Sequence, residues 1–192
     1  MARVRLHDKE FELFISEAEV NKAVDRLASE LRAKYNGKRP LFIGVLNGAF
    51  FFAADLLKRL DIECEITFVK VASYKGTKST GTVSDLIGLN ERLEGRHIVV
   101  LEDIVDTGHT VRHILDTLSE HHPASVSIAA LLFKPDAYKQ DIPIEHVAVR
   151  IPNAFVVGSG LDHDGLGRNL PGIYRIVEST TTTAHKAEAR IQ

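Results

Sequence analysis

Short apolar runs of strand length recur along the chain, and segments with helical periodicity separate them. Residues 40–46 read PLFIGVL, residues 97–101 read HIVVL and residues 125–133 read SVSIAALLF. Runs with so little polar alternation are typical of strands that are buried on both faces, as in parallel sheets. Strands that alternate with helices predict an α/β fold with a central, mostly parallel twisted sheet flanked by helices.

The helical segments carry boundary signals of their own. Ser16 and Glu19 have the spacing of a capping box, and apolar residues at three- and four-residue steps follow them, which predicts a helix ending near Gly37. Two further helices are predicted over residues 49–60 and 111–118. Additional strands are predicted at residues 62–72, 146–151, 155–157 and 173–177.

A length of 192 residues suits one domain with a sizeable core. We expect that core to span about residues 16–150. Residues 1–15 and 151–178 would form a small hood lobe over the sheet edge, and the polar tail 179–192 would fray. Residues 73–85 (SYKGTKSTGTVSD) contain almost no apolar side chains. They are predicted to form a mobile functional loop, with a protruding two-stranded ribbon as the alternative.

Composition excludes several classes of protein. Lys and Arg number 24 against 26 for Asp and Glu, so the net charge of -2 gives no overall electrostatic signature for nucleic acid. Cys64 is the single cysteine, which excludes an intramolecular disulfide and a cysteine metal cluster. No apolar run reaches the roughly 20 residues of a membrane span, and charges interrupt the amino end, unlike a secretory signal. A soluble cytoplasmic protein is expected, without nucleic-acid or membrane partners.

The chemistry is concentrated in residues 99–110 (VVLEDIVDTGHT), where a buried strand leads into a turn that opens a helix. Unpaired backbone N–H groups at a helix amino terminus form an anion site. Thr107 and Thr110 add hydroxyl donors, and Gly108 lets a phosphate approach the backbone closely.

Three carboxylates, Glu102, Asp103 and Asp106, lie beside this anion site. Like charges repel there, so the acids need a role, and ribose hydroxyls or a magnesium ion would supply one. The segment therefore predicts a sugar-phosphate site. The alternative is a solvated loop in which Thr110 simply caps the helix.

Residues 99–110 resemble the phosphoribosyl-pyrophosphate signature of the type I phosphoribosyltransferases. Over residues 10–178 the chain is similar to the hypoxanthine-guanine branch of that family. The supporting motifs occur in the family's order: residues 46–48 (LNG), 73–74 (SY), 134–136 (KPD), 151–158 (IPNAFVVG), 161–162 (LD) and 168–171 (RNLP). Short motifs recur by chance, but so many in one order rarely do.

The resemblance implies a role for each matched position. The pyrophosphate would meet Asn47, Gly48 and Arg168, and Ser73 and Tyr74 would open a loop that closes over the site. The 5′-phosphate and ribose would contact Glu102, Asp103, Asp106, Thr107, Gly108, His109 and Thr110. The purine would contact Lys134 through its 6-oxo group, Phe155 by stacking, Val156 through the backbone, and Asp162. Magnesium would be held by Glu102, Asp103 and Asp162.

The implied reaction transfers the 5-phosphoribosyl group from phosphoribosyl pyrophosphate to N9 of hypoxanthine or guanine. Asp106 would act as general base toward purine N7. Relatives frequently carry Lys where this chain has Asn47 and His109, so a positive charge near the phosphates is lost or becomes pH-dependent. The family is usually dimeric or tetrameric, so a homodimer or homotetramer is expected.

Three alternatives stay open at this point. A xanthine-preferring enzyme would keep the aspartate at Asp106, whereas adenine-specific relatives typically carry a small residue there. A phosphoribosyltransferase-fold regulator that binds RNA would show a basic face, and it tends to lose that aspartate. A generic α/β domain without activity leaves the ordered motifs unexplained.

Overall fold

The computed structural model describes residues 2–71 and 86–177, and within these ranges the chain forms ten strands and three helices. The strands are Arg3–Leu6 (β1), Lys9–Ile15 (β2), Leu41–Leu46 (β3), Glu65–Val71 (β4), Leu86–Ile87 (β5), His97–Val105 (β6), Ser125–Phe133 (β7), His146–Arg150 (β8), Val156–Val157 (β9) and Ile173–Ile176 (β10). The helices are Glu17–Tyr35 (α1), Ala49–Leu57 (α2) and His109–Ser119 (α3). None of the described helices is both long and apolar enough to span a membrane.

Six strands form the central sheet in the order β5-β4-β3-β6-β7-β8. All neighbouring strands are parallel except β4 and β5, which are antiparallel at one edge. This arrangement confirms the predicted α/β fold with a mostly parallel sheet. Because β3, β6 and β7 run in the same direction, the residues that follow them meet at one edge of the sheet, where ligands bind in open α/β sheets.

Two apolar layers pack against the faces of this sheet. Leu27 of α1 and Phe52 of α2 belong to the layer on one face, and Ile114 of α3 belongs to the layer on the other. The predicted capping box of α1 is confirmed: the Ser16 hydroxyl accepts from the backbone N–H of Glu19 at 3.3 Å, while the Glu19 carboxylate accepts from the Ser16 N–H at 2.9 Å. Such a cap contributes about 1 kcal/mol to stability.

A second sheet, antiparallel throughout, has the order β1-β2-β10-β9 and joins the two ends of the described chain, within the residues assigned above to the hood lobe. Phe11 and Val157 are buried at its centre with Leu6. The backbone N–H of Ile176 donates to the carbonyl of Phe155 at 3.0 Å, which fixes the segment that leads into β9.

Strand β6 is longer than predicted, and this changes the position of its acids. It continues to Val105 instead of ending at Leu101, so Glu102 and Asp103 lie inside the strand. Adjacent strand residues point to opposite faces of a sheet. Leu101 packs in the layer of α1 and α2, so Asp103 lies on that face and Glu102 on the face of α3.

Other boundaries also differ from the predictions. Helix α2 ends at Leu57 instead of residue 60, because the N–H groups of Arg59 and Leu60 bond to carbonyls three residues back and tighten the last turn. Strand β4 begins at Glu65 instead of residue 62, because its partner β3 begins only at Leu41. The predicted loop 73–85 and the tail 179–192 lie outside the described residues.

Candidate active site

A cavity of about 380 Å³ opens at the edge of the sheet where β3 and β6 end. Its lining includes most of the residues predicted to bind phosphate, ribose and pyrophosphate, together with Asp162, which was predicted to contact the purine and magnesium: Asn47, Gly48, Glu102, Asp103, Asp106, Thr107, Gly108, His109, Thr110, Asp162 and Arg168. The ends of β3 and β6 bring together residues near positions 47 and 103–110, and the segment after β9 adds Asp162 and Arg168. Ser73 and Tyr74, predicted to open a closing loop, lie outside the described residues.

The amino terminus of α3 forms one wall of this cavity. Gly108 is the N-cap residue, with φ of 84°, and no side chain caps the helix. The alternative in which Thr110 caps the helix is therefore wrong. A methyl group at Gly108 would overlap the ring of Tyr138, so only glycine fits. The first N–H groups of α3 can bind an anion, whereas Ser16 caps those of α1.

The loop after β3 forms the opposite wall. Asn47 follows a cis peptide bond with Leu46, and Gly48 is the N-cap of α2. A methyl group on Gly48 would overlap the carboxylate of Asp103, and one on Gly160 would overlap the carbonyl of Gly48. Glycine at position 48 therefore lets the loop, the acid and the hood lobe pack together.

The two acids of β6 lie where negative charge is unfavourable. Burial and the neighbouring Asp103 raise the pKa of Glu102 well above its ordinary value. Burial also raises the pKa of Asp103, against the opposing effects of the Ile104 N–H and the Arg168 charge. Oε1 of Glu102 is buried without a hydrogen-bond partner in the described part of the chain. A hydroxyl donor or a cation would supply what these carboxylates lack.

Magnesium fits this donor set, although residues 2–71 and 86–177 contain no group of three His, Cys, Asp or Glu side chains that could hold a metal alone. Mg²⁺ is usually held by one or two carboxylates together with waters and substrate phosphates. Asp103 and Asp162 line the same cavity, close enough for the charge of Asp162 to raise the pKa of Asp103.

Lys134 and Asp106 form an ion pair at the ends of neighbouring strands. Nζ of Lys134 donates to Oδ2 of Asp106 at 2.7 Å. The lysine side chain is only 8% exposed and the aspartate 44%. A buried ammonium group needs such a partner because desolvation disfavours an isolated charge. The side-chain charge of Lys134 is thereby held at the edge of a cavity.

That second cavity, of about 250 Å³, adjoins the first and shares Asp103, Asp106 and Asp162 with it. Its other lining residues include the remaining predicted purine contacts, Lys134, Phe155 and Val156. Phe155 is 46% exposed, so part of its ring is available to a ligand. The two cavities together offer one place for an anion and an adjoining place for a flat, polar-edged group.

Arg168 and Asp162 form a further ion pair at 2.6 Å in the first cavity. The guanidinium group of Arg168 also donates to the carbonyl of Gly160 at 2.6 Å. The other carboxylate oxygen of Asp162 accepts from the N–H of Gly165 at 2.7 Å. These contacts hold the segment from Gly160 to Arg168 against the cavity.

One residue beside the site was missed by the sequence analysis. The ring of His163 packs edge to face against Phe155, with a centroid distance of 5.6 Å. The Asp164-Gly165 pair, a common two-residue hairpin turn, was the available signal that the residue before it has a fixed orientation.

An anion-binding helix terminus beside a carboxylate-lined cavity, at the carboxyl edge of a parallel sheet, defines a class of enzymes that bind phosphorylated sugars. Residues 16–164 match the phosphoribosyl transferase domain family, and the chain belongs to that family. It is 42% identical over 168 residues to a hypoxanthine-guanine phosphoribosyltransferase of Bacillus subtilis, covering 87% of this chain and 93% of that protein.

Two further comparisons agree with this assignment. A bifunctional protein TilS/HprT of Listeria monocytogenes is 41% identical over 169 residues, but the match covers 88% of this chain and only 26% of that much longer protein. A solved structure of a hypoxanthine phosphoribosyltransferase from Staphylococcus aureus superposes with a TM-score of 0.80 at 37% identity, covering 86% of this chain and 91% of that one.

Proposed function

We propose that this chain is a purine-salvage enzyme that transfers the 5-phosphoribosyl group from phosphoribosyl pyrophosphate to N9 of hypoxanthine or guanine. The products are inosine or guanosine monophosphate and pyrophosphate. The observation that carries the proposal is the Lys134–Asp106 ion pair, which lies in a cavity directly beside the open amino terminus of α3. This pair supports the proposal because it offers a cation for a 6-oxo group and an acid for a proton beside a helix terminus whose N–H groups can bind phosphate.

The phosphate end of the substrate is bound by the turn that opens α3. The backbone N–H groups after Gly108 and the hydroxyls of Thr107 and Thr110 donate to the 5′-phosphate. His109 begins the helix at this point and adds positive charge when protonated. Glu102 and Asp103 accept hydrogen bonds from ribose hydroxyls. This gives the buried Oε1 of Glu102 a hydrogen-bond partner that it lacks among the described residues.

The purine lies in the second cavity between Phe155 and the ion pair. The ammonium group of Lys134 donates to the purine 6-oxo group, which is an acceptor, while the adenine 6-amino group is a donor and is rejected. The ring of Phe155 stacks on the base, and the backbone of Val156 bonds to its edge. Asp106 accepts the proton from N7 as the bond to N9 forms.

The pyrophosphate end is bound by the loop after β3 and by Arg168. Gly48 presents its backbone to the leaving group, and Asn47 contributes an uncharged amide where relatives often have lysine. Glu102, Asp103 and Asp162 are the residues that would hold Mg²⁺, which, when bound, neutralises negative charge on the leaving pyrophosphate. Ser73 and Tyr74 would open the loop that excludes water, so that the reactive sugar is not hydrolysed.

A homodimer or homotetramer is also proposed. Phe50 and Phe51 of α2 and Ile66 of β4 are exposed, and the ring of Phe50 lies 6.4 Å from that of Phe68. A contiguous exposed apolar patch of this kind is typical of a protein interface. Because Gly48 is the N-cap of α2, association through the patch would restrict the motion of the loop proposed to bind pyrophosphate. The highly charged substrate does not cross membranes, which favours a cytoplasmic location.

The test is an assay with phosphoribosyl pyrophosphate and Mg²⁺, in which hypoxanthine, guanine, xanthine and adenine are offered separately. Formation of inosine or guanosine monophosphate is expected, with adenine inert. The K134M variant should lose most activity, while K58M, which removes an exposed lysine from the end of α2, should retain it. A preference for xanthine would identify the xanthine-specific alternative. Inactivity with all four bases, together with salt-dependent RNA binding, would identify the regulator.

A further inference from the structure

The segment that carries His163 is a two-residue hairpin with a fixed backbone. His163 and Leu166 exchange both backbone hydrogen bonds, at 2.9 and 3.1 Å. Between them Asp164 and Gly165 have φ of 47° and 86°, the left-handed conformation of a type I′ turn. The Asp162 carboxylate accepts from the Gly165 N–H at 2.7 Å and locks the turn from outside. The orientation of His163 is therefore set by its neighbours in the chain.

This hairpin directs the imidazole ring into a cluster of aromatic side chains. The ring centroid of His163 lies 5.6 Å from that of Phe155, nearly perpendicular to it, and 5.9 Å from that of Phe11. Phe11 is fully buried in β2 and lies 6.1 Å from Phe155. Phe155 therefore has two ring neighbours on the protein side, one from the hood sheet and one from the hairpin.

Hydrogen bonds do not explain the placement of His163. Its Nε2 atom is buried without a hydrogen-bond partner among residues 2–71 and 86–177. The carboxylates of Asp8 and Asp164 lie 3.9 Å from its two ring nitrogens, beyond hydrogen-bond range. The His163 side chain is nevertheless only 18% exposed. In the described part of the chain its ring packs against those of Phe155, Phe11 and His7, with centroid distances of 5.6, 5.9 and 5.7 Å.

We propose that His163 is a positioning residue for the purine, acting through the ring of Phe155. The inference rests on the proposed function, since it requires Phe155 to stack on the base. A half-exposed aromatic ring loses rotational freedom when a ligand stacks on it, and that loss weakens binding. Phe11 and His163 restrict Phe155 beforehand, so the free enzyme already presents the ring to the base. The interaction made by His163 is the edge-to-face ring contact, independent of the charge of the imidazole.

The experiment compares H163A, H163F and the surface control H121A in steady-state kinetics with each substrate varied. H163A should raise the KM for hypoxanthine and guanine about three- to tenfold, as expected for loss of one aromatic contact. The KM for phosphoribosyl pyrophosphate should stay unchanged. H163F, which keeps a ring without nitrogens, should restore the purine KM, and H121A should behave as the parent enzyme.

A spectroscopic measurement tests the ring contact separately from catalysis. The chain contains no tryptophan, so F155W introduces a single tryptophan at the stacking position, whose emission can be followed selectively. The fluorescence anisotropy of this tryptophan should be lower in the F155W/H163A double variant than in F155W, and should recover in F155W/H163F.

Purine KM values within twofold of the parent for H163A would overturn the inference, as would an unchanged anisotropy. An equal rise in the purine KM in folded H163A and folded H163F would also overturn the inference. A parent enzyme inactive with every purine would instead refute the proposed function, while the anisotropy would still report on the ring contact.

Discussion

Nζ of Lys134 lies 2.7 Å from Oδ2 of Asp106, although the two residues follow different strands and are separated by 28 positions in the sequence. Strands β6 and β7 are parallel neighbours in register, with Val105 opposite Phe133, so the next residue of each strand meets the other at the sheet edge. The same backbone pairing that buries the core thus positions the two groups to which we assign recognition and proton transfer.

The D106N substitution separates proton transfer, assigned to Asp106, from recognition of the base, assigned to Lys134. Asparagine keeps an oxygen that accepts from Lys134 but cannot take the N7 proton, so turnover should fall about 10²- to 10⁴-fold, the usual contribution of general acid–base catalysis. Binding of inosine monophosphate, measured by calorimetry, should change little. Unchanged turnover in D106N would remove Asp106 from the role of general base.

The G48A substitution tests the packing of the pyrophosphate loop. The added methyl group overlaps the Asp103 carboxylate, so the loop and the acid must move apart. We expect the KM for phosphoribosyl pyrophosphate to rise about 10- to 100-fold, as a small misplacement of binding groups can cause. Steady-state kinetics with varied phosphoribosyl pyrophosphate measures this.

The matched control for this substitution is G37A. Gly37 also lies in a loop and has φ of 74°, but a methyl group there meets no atom within 4 Å. The control should lose about 1 to 2 kcal/mol of stability through its left-handed backbone, without any kinetic effect. Normal kinetics for G48A would contradict the proposed role of the loop.

A pH dependence of stability is expected from His146, the first residue of the edge strand β8, which lines neither cavity of the candidate site. Burial and the positive charge of Lys34, whose Nζ lies 3.1 Å from its Nε2, lower the pKa of His146, while Glu145 and Glu30 oppose this effect. Below its ordinary value of 6.5 the unfolded chain binds a proton that the native protein does not bind. His146 should therefore make stability fall as pH drops below about 6.5.

Urea unfolding between pH 5 and 8 measures this dependence. In H146Q the fall in stability on acidification should be smaller, because the titrating group is gone while an acceptor for Lys34 remains. The exposed His121 provides the matched control, and H121Q should lose as much stability on acidification as the parent protein does. If the unfolding free energies of the parent and H146Q changed equally with pH, His146 would be excluded as the source of the pH dependence.

Association of the chain should depend on the apolar patch of Phe50, Phe51, Ile66 and Phe68. Multi-angle light scattering should give a mass of at least twice the 21.3 kDa of one chain. F50E places a charge in the patch and should shift the protein toward monomer, because an unpaired charge in an apolar interface is costly. K22E, on an exposed position of α1, should leave the mass unchanged. A monomeric parent protein would refute the proposed oligomer.

The sequence by itself predicted the features that depend on neighbours along the chain. The capping box of α1 joins Ser16 to Glu19, three residues apart, and the turn to which we assign phosphate binding is one continuous segment from β6 into α3. The apolar runs predicted the buried strands of the parallel sheet. Such features are local because backbone hydrogen bonds and side-chain periodicity act over a few residues.

Only the tertiary structure decided which distant side chains meet. It extended β6 through Val105, so that Glu102 and Asp103 lie within the strand and face opposite sides of the sheet. It also paired Lys134 with Asp106 and packed His163 against both Phe11 and Phe155. These contacts depend on strand pairing and on the packing of the hood lobe, which join residues far apart in the sequence. No pattern within a short segment specifies them, because each partner's position is set by a different part of the fold.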